Sequence, residues 1–382
     1  MKKIFLFCFL FIFCLSIVKS DDLGLARNSE TAILMEASTK KVIFEKESHK
    51  EMAPASMTKI MTLLLTMESL EKGNIKLDDE VLVSKRAQDM GGTQIYIEAG
   101  SKVSVEDLIK GIGIASANDA AVAIAEKIGG TYENFVNMMN KRCEELGCRN
   151  TSFKNPHGLD ENGHYSSAYD MALIASELVK YDYALKISST YDEHINVSGE
   201  NHWLVNTNKL IKFYKGIDGL KTGYTDKAGY CLTATMNKNN MRLISVVMKS
   251  NTKENRTTDT ISMMEYGYSM YGSEIVFDKD KYEGTIRINN SEKINYKYVL
   301  DKDVKIIVDK NTRDINYKTD IQIENNLKAP LKKGDKIGEL ILKYDKDNYK
   351  YNLILKDDVK KANYFKILKN HLKDIVTGNV RK

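Results

Sequence analysis

Two predicted strand hairpins bracket a long helical region, and this order restricts the fold more than any other feature of the sequence. Residues 31–46 hold two apolar runs around a polar turn at Ser38–Lys41, and residues 231–248 repeat the pattern around Asn237–Asn240. Both patterns are typical of β-hairpins. Strands at both ends with helices between them predict one antiparallel sheet packed on an inserted helical region, an α+β fold.

Helical periodicity fills the stretch between the hairpins. Residues 56–71 are apolar nearly all round, so we expect this helix to lie inside the core. Further helices are predicted at 105–139, where residues 115–127 are rich in alanine, and at 167–179. A closing helix is predicted at 262–271, after the second hairpin.

The pattern changes at Ser273. Short alternating segments separated by polar turns follow, and they predict a small all-β domain at 273–357. These segments are Thr285–Ile288, Tyr296–Leu300, Val304–Val308, Ile321–Ile323, Ile337–Leu342 and Tyr351–Leu355. Because no catalytic set of residues is visible there, we expect a spacer or docking role for this domain.

Residues 1–20 have the features of a secretory signal peptide. Two lysines precede an unbroken apolar run over residues 4–18, and Val18-Lys19-Ser20 favours cleavage after Ser20. The alternative is a membrane anchor, but the run is shorter than the roughly 20 residues that span a bilayer. Removing the leader, with its three lysines, lowers the formal net charge from +5 to about +2, which does not indicate nucleic-acid binding.

Three cysteines remain once the leader is removed: Cys143, Cys148 and Cys231. That is an odd number for an exported protein. A bridge between Cys143 and Cys148 is one alternative, but three cysteines do not make a disulfide framework. We therefore expect ordinary buried thiols.

The last segment, residues 358–382, predicts an amphipathic helix. Its apolar residues recur at spacings of three and four, and its lysines lie off that stripe. The apolar set is Tyr364, Phe365, Leu368, Leu372, Ile375 and Val376, and the lysines are Lys366, Lys369 and Lys373. A cationic helix of this kind at a chain end can lie on a membrane surface, which we expect here. The alternative is a helix packed on its own β domain.

The motif Ser56-Met57-Thr58-Lys59 stands at the start of the predicted core helix. A spacing of three places Ser56 and Lys59 on one helical face, roughly 5–6 Å apart at Cβ. A serine hydroxyl needs a base to become a nucleophile, and lysine can serve when burial lowers its pKa. Taken alone, the same spacing is also typical of a surface serine beside a solvated lysine.

Two further motifs follow. Ser116-Ala117-Asn118 precedes the alanine-rich helix, where a hydroxyl could relay a proton and an amide could hold a carbonyl. Alone it is also typical of a helix N-cap with Asp119 in the first turn. Lys221-Thr222-Gly223 precedes a predicted strand, and a glycine on an edge strand lets a substrate peptide approach as an added strand.

The order S-x-x-K, S-x-N, K-T-G resembles that of the D-Ala-D-Ala carboxypeptidases, the low-molecular-mass penicillin-binding proteins. The similarity covers about residues 21–271 and continues through Ala329–Gly334 to the terminal helix. Family-like blocks are Ala53–Lys59, Ser116–Ala121, Asn155–Leu159, His164–Ser166, Asp218–Gly223 and Arg242–Val247. The resemblance implies a β-lactamase/DD-peptidase-like domain at 21–272.

The resemblance also implies residue roles. Ser56 would be the acylated nucleophile and Lys59 its base, while Ser116 and Asn118 would shuttle a proton and position the substrate. Lys221, Thr222 and Gly223 would bind the substrate, and the backbone N–H groups of Ser56 and Tyr224 would form the oxyanion hole. Arg256 would contact the terminal carboxylate of the substrate. It lies eleven residues before the glycine of Tyr266-Gly267-Tyr268.

The implied substrate is a peptidoglycan stem peptide ending in D-Ala-D-Ala, with β-lactam antibiotics as inhibitors. We expect the enzyme to act without a cofactor at the outer face of the cytoplasmic membrane or in the cell wall. Transpeptidation remains open, because an amine could attack the acyl-enzyme in place of water.

Other functions are disfavoured. A serine β-lactamase would need a deacylating glutamate, and Asp160 and Glu161 do not stand in the expected E-x-x-L-N pattern. A non-catalytic peptidoglycan-binding protein would be expected to lack a motif residue, and none is missing. A metal site at His157 and His164 lacks a third ligand at suitable spacing, so a structural role is expected for both histidines.

Overall fold

The structure is a computed structural model that describes residues 23–197, 199–312, 314–365 and 367. Its strands are β1 (Thr31–Glu36), β2 (Val42–Lys46), β3 (Glu80–Leu82), β4 (Lys102–Ser104), β5 (Asp192–Val197), β6 (Glu200–Val205), β7 (Ile217–Thr225), β8 (Gly229–Lys238), β9 (Met241–Ser250), β10 (Tyr271–Phe277), β11 (Glu283–Arg287), β12 (Asn295–Leu300), β13 (Val304–Asp309), β14 (Tyr317–Ile323), β15 (Lys336–Tyr344) and β16 (Asp347–Leu355). The α-helices are α1 (Lys59–Glu71), α2 (Lys85–Gln88), α3 (Val105–Lys110), α4 (Asn118–Gly129), α5 (Tyr132–Glu145), α6 (Ala168–Leu178), α7 (Asp182–Ser189), α8 (Leu210–Phe213) and α9 (Lys253–Met270).

The sheet of the N-terminal domain joins both ends of that domain. Its order is β2-β1-β9-β8-β7, and all of its strand pairs are antiparallel. The two predicted hairpins are therefore confirmed as β1–β2 and β8–β9, and β7 lies at the edge. The helices from α1 to α8 are inserted between β2 and β7 along the chain. The α+β fold expected from the sequence is confirmed.

Helix α1 lies in the core, as its all-round apolar pattern predicts, and only its last two residues are not buried. Its start differs from the prediction. A 3₁₀ turn over Ala55–Thr58 carries Ser56, and the α-helix begins at Lys59. The tight turn follows Pro54, whose missing N–H cannot join a helical ladder. Ser56 is thus presented ahead of the helix.

The predicted helical stretch at 105–139 is interrupted. A π turn over Gly111–Ala115 follows α3, and Ser116 ends it in a left-handed conformation with φ of 69°. Helix α4 then starts at Asn118. Helix α9 begins earlier than expected, at Lys253, because Thr252 caps the polar first turn by accepting a hydrogen bond from the Asn255 N–H. The apolar pattern alone could not reveal that turn.

The C-terminal domain is all-β, as predicted. Strands β10 and β13 form a pair, and a second sheet has the order β11-β12-β16-β15-β14. Strand β10 was missing from the prediction, because it continues directly from α9 without a polar turn. A Lys41–Asp347 salt bridge of 3.1 Å and a 2.6 Å hydrogen bond from Lys310 Nζ to the Tyr268 carbonyl link the two domains.

The prediction of free thiols was wrong for two cysteines. Cys143 and Cys148 form a disulfide, with their Cα atoms 5.3 Å apart. Helix α5 ends at Glu145, and Gly147 reverses the chain with a φ of 86°. This turn places the Cys148 N–H on the Cys143 carbonyl, 3.0 Å away, which brings the side chains together. Cys231 is free and buried, as expected.

The predicted leader and most of the predicted terminal helix lie outside the described residues. Among the residues that are described, no helix has the length and apolar character needed to cross a membrane.

Candidate active site

A cleft of about 930 Å³ opens between the edge strand β7, the turn before α4 and the first turn of α9. Six of the sequence-predicted site residues line it: Ser56, Ser116, Thr222, Gly223, Tyr224 and Arg256. Lys59, Asn118 and Lys221 are buried immediately behind this surface. The structure therefore brings all nine predicted residues to one region.

The Lys59 side chain is fully buried and makes three polar contacts. Its Nζ lies 3.0 Å from Ser56 Oγ, 2.6 Å from Asn118 Oδ1 and 2.7 Å from the His157 carbonyl oxygen. Each of the three partners is neutral, so none stabilises the ammonium form as a carboxylate would. The amine is thus held against the serine hydroxyl from which it would take a proton.

The pKa of Lys59 lies well below its ordinary value. Burial is the largest cause, because it penalises the charged form, and the nearby positive charge of Lys221 adds to it. The carboxylate of Asp119 opposes the shift but is outweighed. The lowered pKa favours the neutral amine, which is the form that can act as a general base.

The loop after α5 supplies a contact that the sequence interpretation missed. The His157 carbonyl reaches Lys59 because Gly158 lets the loop approach the 3₁₀ turn. A Cβ at Gly158 would lie 1.8 Å from the Ala55 carbonyl oxygen, and its φ is 90°. Asn155 Oδ1 fixes this bend by accepting the Gly158 N–H at 2.7 Å. In the sequence, only the family-like block Asn155–Leu159 indicated that this loop is part of the site.

Asn118 is a bridge between Lys59 and the opposite wall of the cleft. Its Oδ1 accepts from Lys59, and its Nδ2 donates to the Gly91 carbonyl at 2.7 Å. The capping alternative fails, because Ala117 is the N-cap and makes no side-chain hydrogen bond. Asp119 instead holds the neighbouring loop by accepting the Ile95 N–H.

The three residues of the K-T-G motif lie on β7. Lys221 is 1% exposed, and burial, followed by the positive charge of Arg256, lowers its pKa to about 7. Thr222 Oγ1 donates to Thr207 Oγ1 at 2.7 Å, so Thr207 is a further residue of the site that carried no sequence signal. At Gly223 a Cβ would lie 2.9 Å from the Pro54 carbonyl and 3.3 Å from the Ser56 nitrogen. Glycine keeps the space beside the Ser56 N–H open.

Arg256 lies in the first turn of α9 and faces the cleft. It is 9% exposed, and its Nε has no hydrogen-bond partner among the described residues. Burial lowers the pKa of its guanidinium, but arginine stays charged at physiological pH. The group is available to an anion in the cleft.

His157 and His164 are both engaged in the structure of their loop. Nδ1 of His164 accepts the Lys154 N–H at 3.0 Å, and its Nε2 lies 2.9 Å from Thr58 Oγ1. Burial is the main cause that lowers the pKa of His157 to about 3 and that of His164 to about 4. Both side chains are neutral and support the loop.

Comparison with known proteins identifies the family of the chain. The D-alanyl-D-alanine carboxypeptidase family matches residues 18–252, and the penicillin-binding protein 5 C-terminal domain family matches residues 271–361. The D-alanyl-D-alanine carboxypeptidase DacF of Bacillus subtilis is 43% identical over 352 residues, which cover 92% of this chain and 90% of DacF.

Solved structures give the same result. Penicillin-binding protein 5 from Haemophilus influenzae has a TM-score of 0.70 at 32% identity, covering 87% of this chain and 98% of that one. Penicillin-binding protein D2 from Listeria monocytogenes, in its cefotaxime-bound form, has a TM-score of 0.58 at 30% identity, covering 65% of this chain and all of that one. This chain therefore belongs to the D-alanyl-D-alanine carboxypeptidase family of penicillin-binding proteins.

Proposed function

We propose that this carboxypeptidase removes the terminal D-alanine of a peptidoglycan stem peptide through an acyl-enzyme on Ser56. The observation that carries the proposal is the buried Lys59 amine, 3.0 Å from Ser56 Oγ. In the first step Lys59 takes the hydroxyl proton while Ser56 Oγ bonds to the penultimate carbonyl carbon. The peptide C–N bond then breaks, D-alanine leaves with a proton relayed by Ser116, and water hydrolyses the ester.

The tetrahedral intermediate needs donors for its oxyanion. We assign this role to the backbone N–H groups of Ser56 and Tyr224, which flank the space that Gly223 keeps open. Such preorganised donors stabilise charge that develops only in the transition state.

The substrate would add to the outer edge of β7 as an antiparallel strand. Its C-terminus would then lie toward Lys221 and its upstream residues toward Tyr224. We assign the terminal carboxylate to Thr222, Lys221 and Arg256. A free carboxylate suits Arg256 because its buried Nε has no other partner among the described residues.

The loop after α5, which carries His157, disfavours a β-lactamase activity. The loop offers Lys59 a backbone carbonyl rather than a carboxylate. Asp160 accepts from Thr225 Oγ1 at 3.0 Å, and Glu161 accepts from Asn155 Nδ2 at 3.0 Å, so both acids have structural partners. We therefore expect penicillin to acylate Ser56 and to leave slowly.

Intact-mass measurement after penicillin treatment tests the nucleophile. The wild type should gain one drug mass, and Ser56→Ala should gain none. An unmodified wild type would contradict the proposal. Free D-alanine released from a pentapeptide stem then separates a carboxypeptidase from a binding protein, whereas rapid penicillin turnover would indicate a β-lactamase.

We also propose the cellular setting and the domain limits. Residues 1–20 would direct export, 21–272 would form the catalytic domain, and 273–357 would form the β domain. Residues 358–382 would form a helix that anchors the protein at the outer face of the cytoplasmic membrane. Tyr364 and Phe365 are 74% and 80% exposed, which suits an apolar face that packs on a bilayer rather than on the β domain. Deleting residues 361–382 should move the protein from the membrane to the soluble fraction, and unchanged partitioning would contradict the anchor.

A further inference from the structure

Strand β14 forms an open edge of the C-terminal sheet. It pairs with β15 on one side, and no described strand pairs with its other side. All seven residues from Tyr317 to Ile323 are exposed. An unprotected edge of this kind is a ready template for another strand.

The backbone of β14 presents hydrogen-bonding groups outward. The Glu324 N–H donates to the Ile337 carbonyl at 2.8 Å, which continues the ladder between β14 and β15. In an antiparallel pair, alternate residues bond to the partner strand. The even-numbered residues therefore face β15, and Tyr317, Thr319, Ile321 and Ile323 direct their N–H and C=O groups away from the sheet.

The same alternate residues form an apolar face. Tyr317, Ile321 and Ile323 are between 38% and 44% exposed, Thr319 lies among them, and Ile315, two residues before the strand, is 39% exposed. The opposite face carries Lys318, Asp320 and Gln322, with a 3.0 Å hydrogen bond from Gln322 Nε2 to Asp320 Oδ2.

The other edge of this sheet, β11, is protected by charge. Glu283, the first residue of β11, accepts from both Lys297 and Lys356, so a cluster of charges stands at the start of that edge. Charged side chains are a common means of blocking edge-to-edge pairing. No comparable ion pair is present on β14 among the described residues.

We propose that β14 pairs antiparallel with β14 of a second copy of this chain, around a two-fold axis at Thr319. Lys318 then faces Asp320 of the other copy, and the symmetry repeats this pair. On the apolar face Tyr317 meets Ile321 and Ile315 meets Ile323, while Thr319 meets its own copy. Opposite charges and β-branched or aromatic pairs are the cross-strand combinations that stabilise a sheet.

Neighbouring registers fit less well. An axis at Lys318 or at Asp320 places like charges directly opposite each other, which is destabilising. An axis at Ile321 would pair Lys318 with Glu324, but it places Tyr317 opposite Asn325 and Asp320 opposite Gln322, so it keeps fewer favourable cross-strand pairs. Seven residues of pairing bury less than the roughly 1,600 Å² of a standard interface, so the dimer is weak and dependent on concentration.

Cysteine cross-linking tests the axis. In a hydrogen-bonded antiparallel pair the Cα atoms lie about 5.5 Å apart, within disulfide range. Thr319→Cys should form a covalent dimer under mild oxidation. Thr285→Cys, on the protected edge β11, is the matched control and should stay monomeric. Equal cross-linking of the two variants would overturn the proposal, as would faster cross-linking of Ile321→Cys, which would mark the other register.

A charge exchange tests the pairing without a new covalent bond. Sedimentation equilibrium of the wild type should show a mass that rises toward that of a dimer with concentration. Asp320→Lys should weaken association about tenfold, because two lysine pairs would face each other. The double variant Lys318→Asp/Asp320→Lys should restore it.

Penicillin should acylate Ser56 equally in all of these variants. This control shows that the catalytic domain is folded, whatever the association experiments give. A wild type that stays monomeric at every concentration would overturn the proposal and would leave the edge to a strand of a different protein. A double variant that remains as weak as Asp320→Lys would overturn the assigned register.

Discussion

Strands β7 and β14 each end a five-stranded antiparallel sheet, yet their edges are opposite in character. The 3₁₀ turn and the first turn of α9 stand around β7, and most of its residues are buried. Among the described residues no strand pairs with the outer edge of β14, and every residue of β14 is exposed. An edge enclosed by other segments, such as β7, can bind only a peptide that also makes favourable contacts with those segments. At an open edge such as β14, only the side chains of the strand itself can favour one partner strand over another.

Changing Lys59, the proposed base behind β7, should give the largest effect. In Lys59→Arg the guanidinium cannot lose its proton, so we expect acylation by penicillin to slow by up to about 10⁴-fold. The matched control is Lys318→Arg on β14, which should acylate at the wild-type rate. Stopped-flow measurement of acylation compares the two. A Lys59→Arg rate close to the wild type would show that another group accepts the proton.

Closing the space beside Ser56 should have the next largest effect. Gly223→Val places side-chain atoms near the Pro54 carbonyl and the Ser56 N–H, so we expect kcat/KM for D-alanine release to fall about 10²- to 10³-fold. Thr319→Val introduces the same side chain on β14 and should leave kcat/KM unchanged. Thermal unfolding of both variants separates a blocked site from a damaged fold.

Removing the guanidinium should change binding and its pH dependence together. We expect Arg256→Gln to raise KM for the stem peptide about 10- to 100-fold, the loss of a charge-assisted hydrogen bond. In the wild type, binding should weaken above about pH 7 as Lys221 loses its proton. Without the neighbouring positive charge the pKa of Lys221 rises, so this alkaline decline should move to higher pH. Lys253→Gln removes a charge nearby and should alter neither property as strongly.

The smallest effect is expected at Tyr224, because only its backbone N–H is assigned a role in the reaction. The Tyr224 side chain is half exposed, stacks on Tyr230 and donates to Asp226 Oδ1 at 3.0 Å. Tyr224→Phe removes that hydrogen bond but keeps the N–H, so kcat/KM should change by less than about threefold. A tenfold loss would show that the hydroxyl or Asp226 contacts the substrate.

The sequence was sufficient to predict those features of the fold and the site that depend on hydrophobic periodicity or on the order of motifs. The paired hairpins, the core helix α1 and the convergence of Ser56, Asn118 and Lys221 all follow from such signals. The missed features depend on close approach between segments. The contact of the His157 carbonyl with Lys59 is made by backbone, whose chemistry is the same at every residue.

The disulfide and the start of α9 were missed for a related reason. Cys143 meets Cys148 because a glycine reverses the chain after α5, and Thr252 starts α9 through a local cap in a polar turn. Apolar periodicity reports which face of an element is buried, but not where a turn or cap places individual atoms.

The position of β1 between β2 and β9 has a consequence for the timing of activity. Thr31 pairs with Met248, so the first strand of the domain cannot complete its ladder until nearly the whole domain is available. Contacts so distant along the chain form slowly, because a long loop must close before they stabilise anything. The wall that holds Ser56 against β7 depends on the same late strands. We therefore expect a chain that ends before β9 to carry Ser56 without its reactivity.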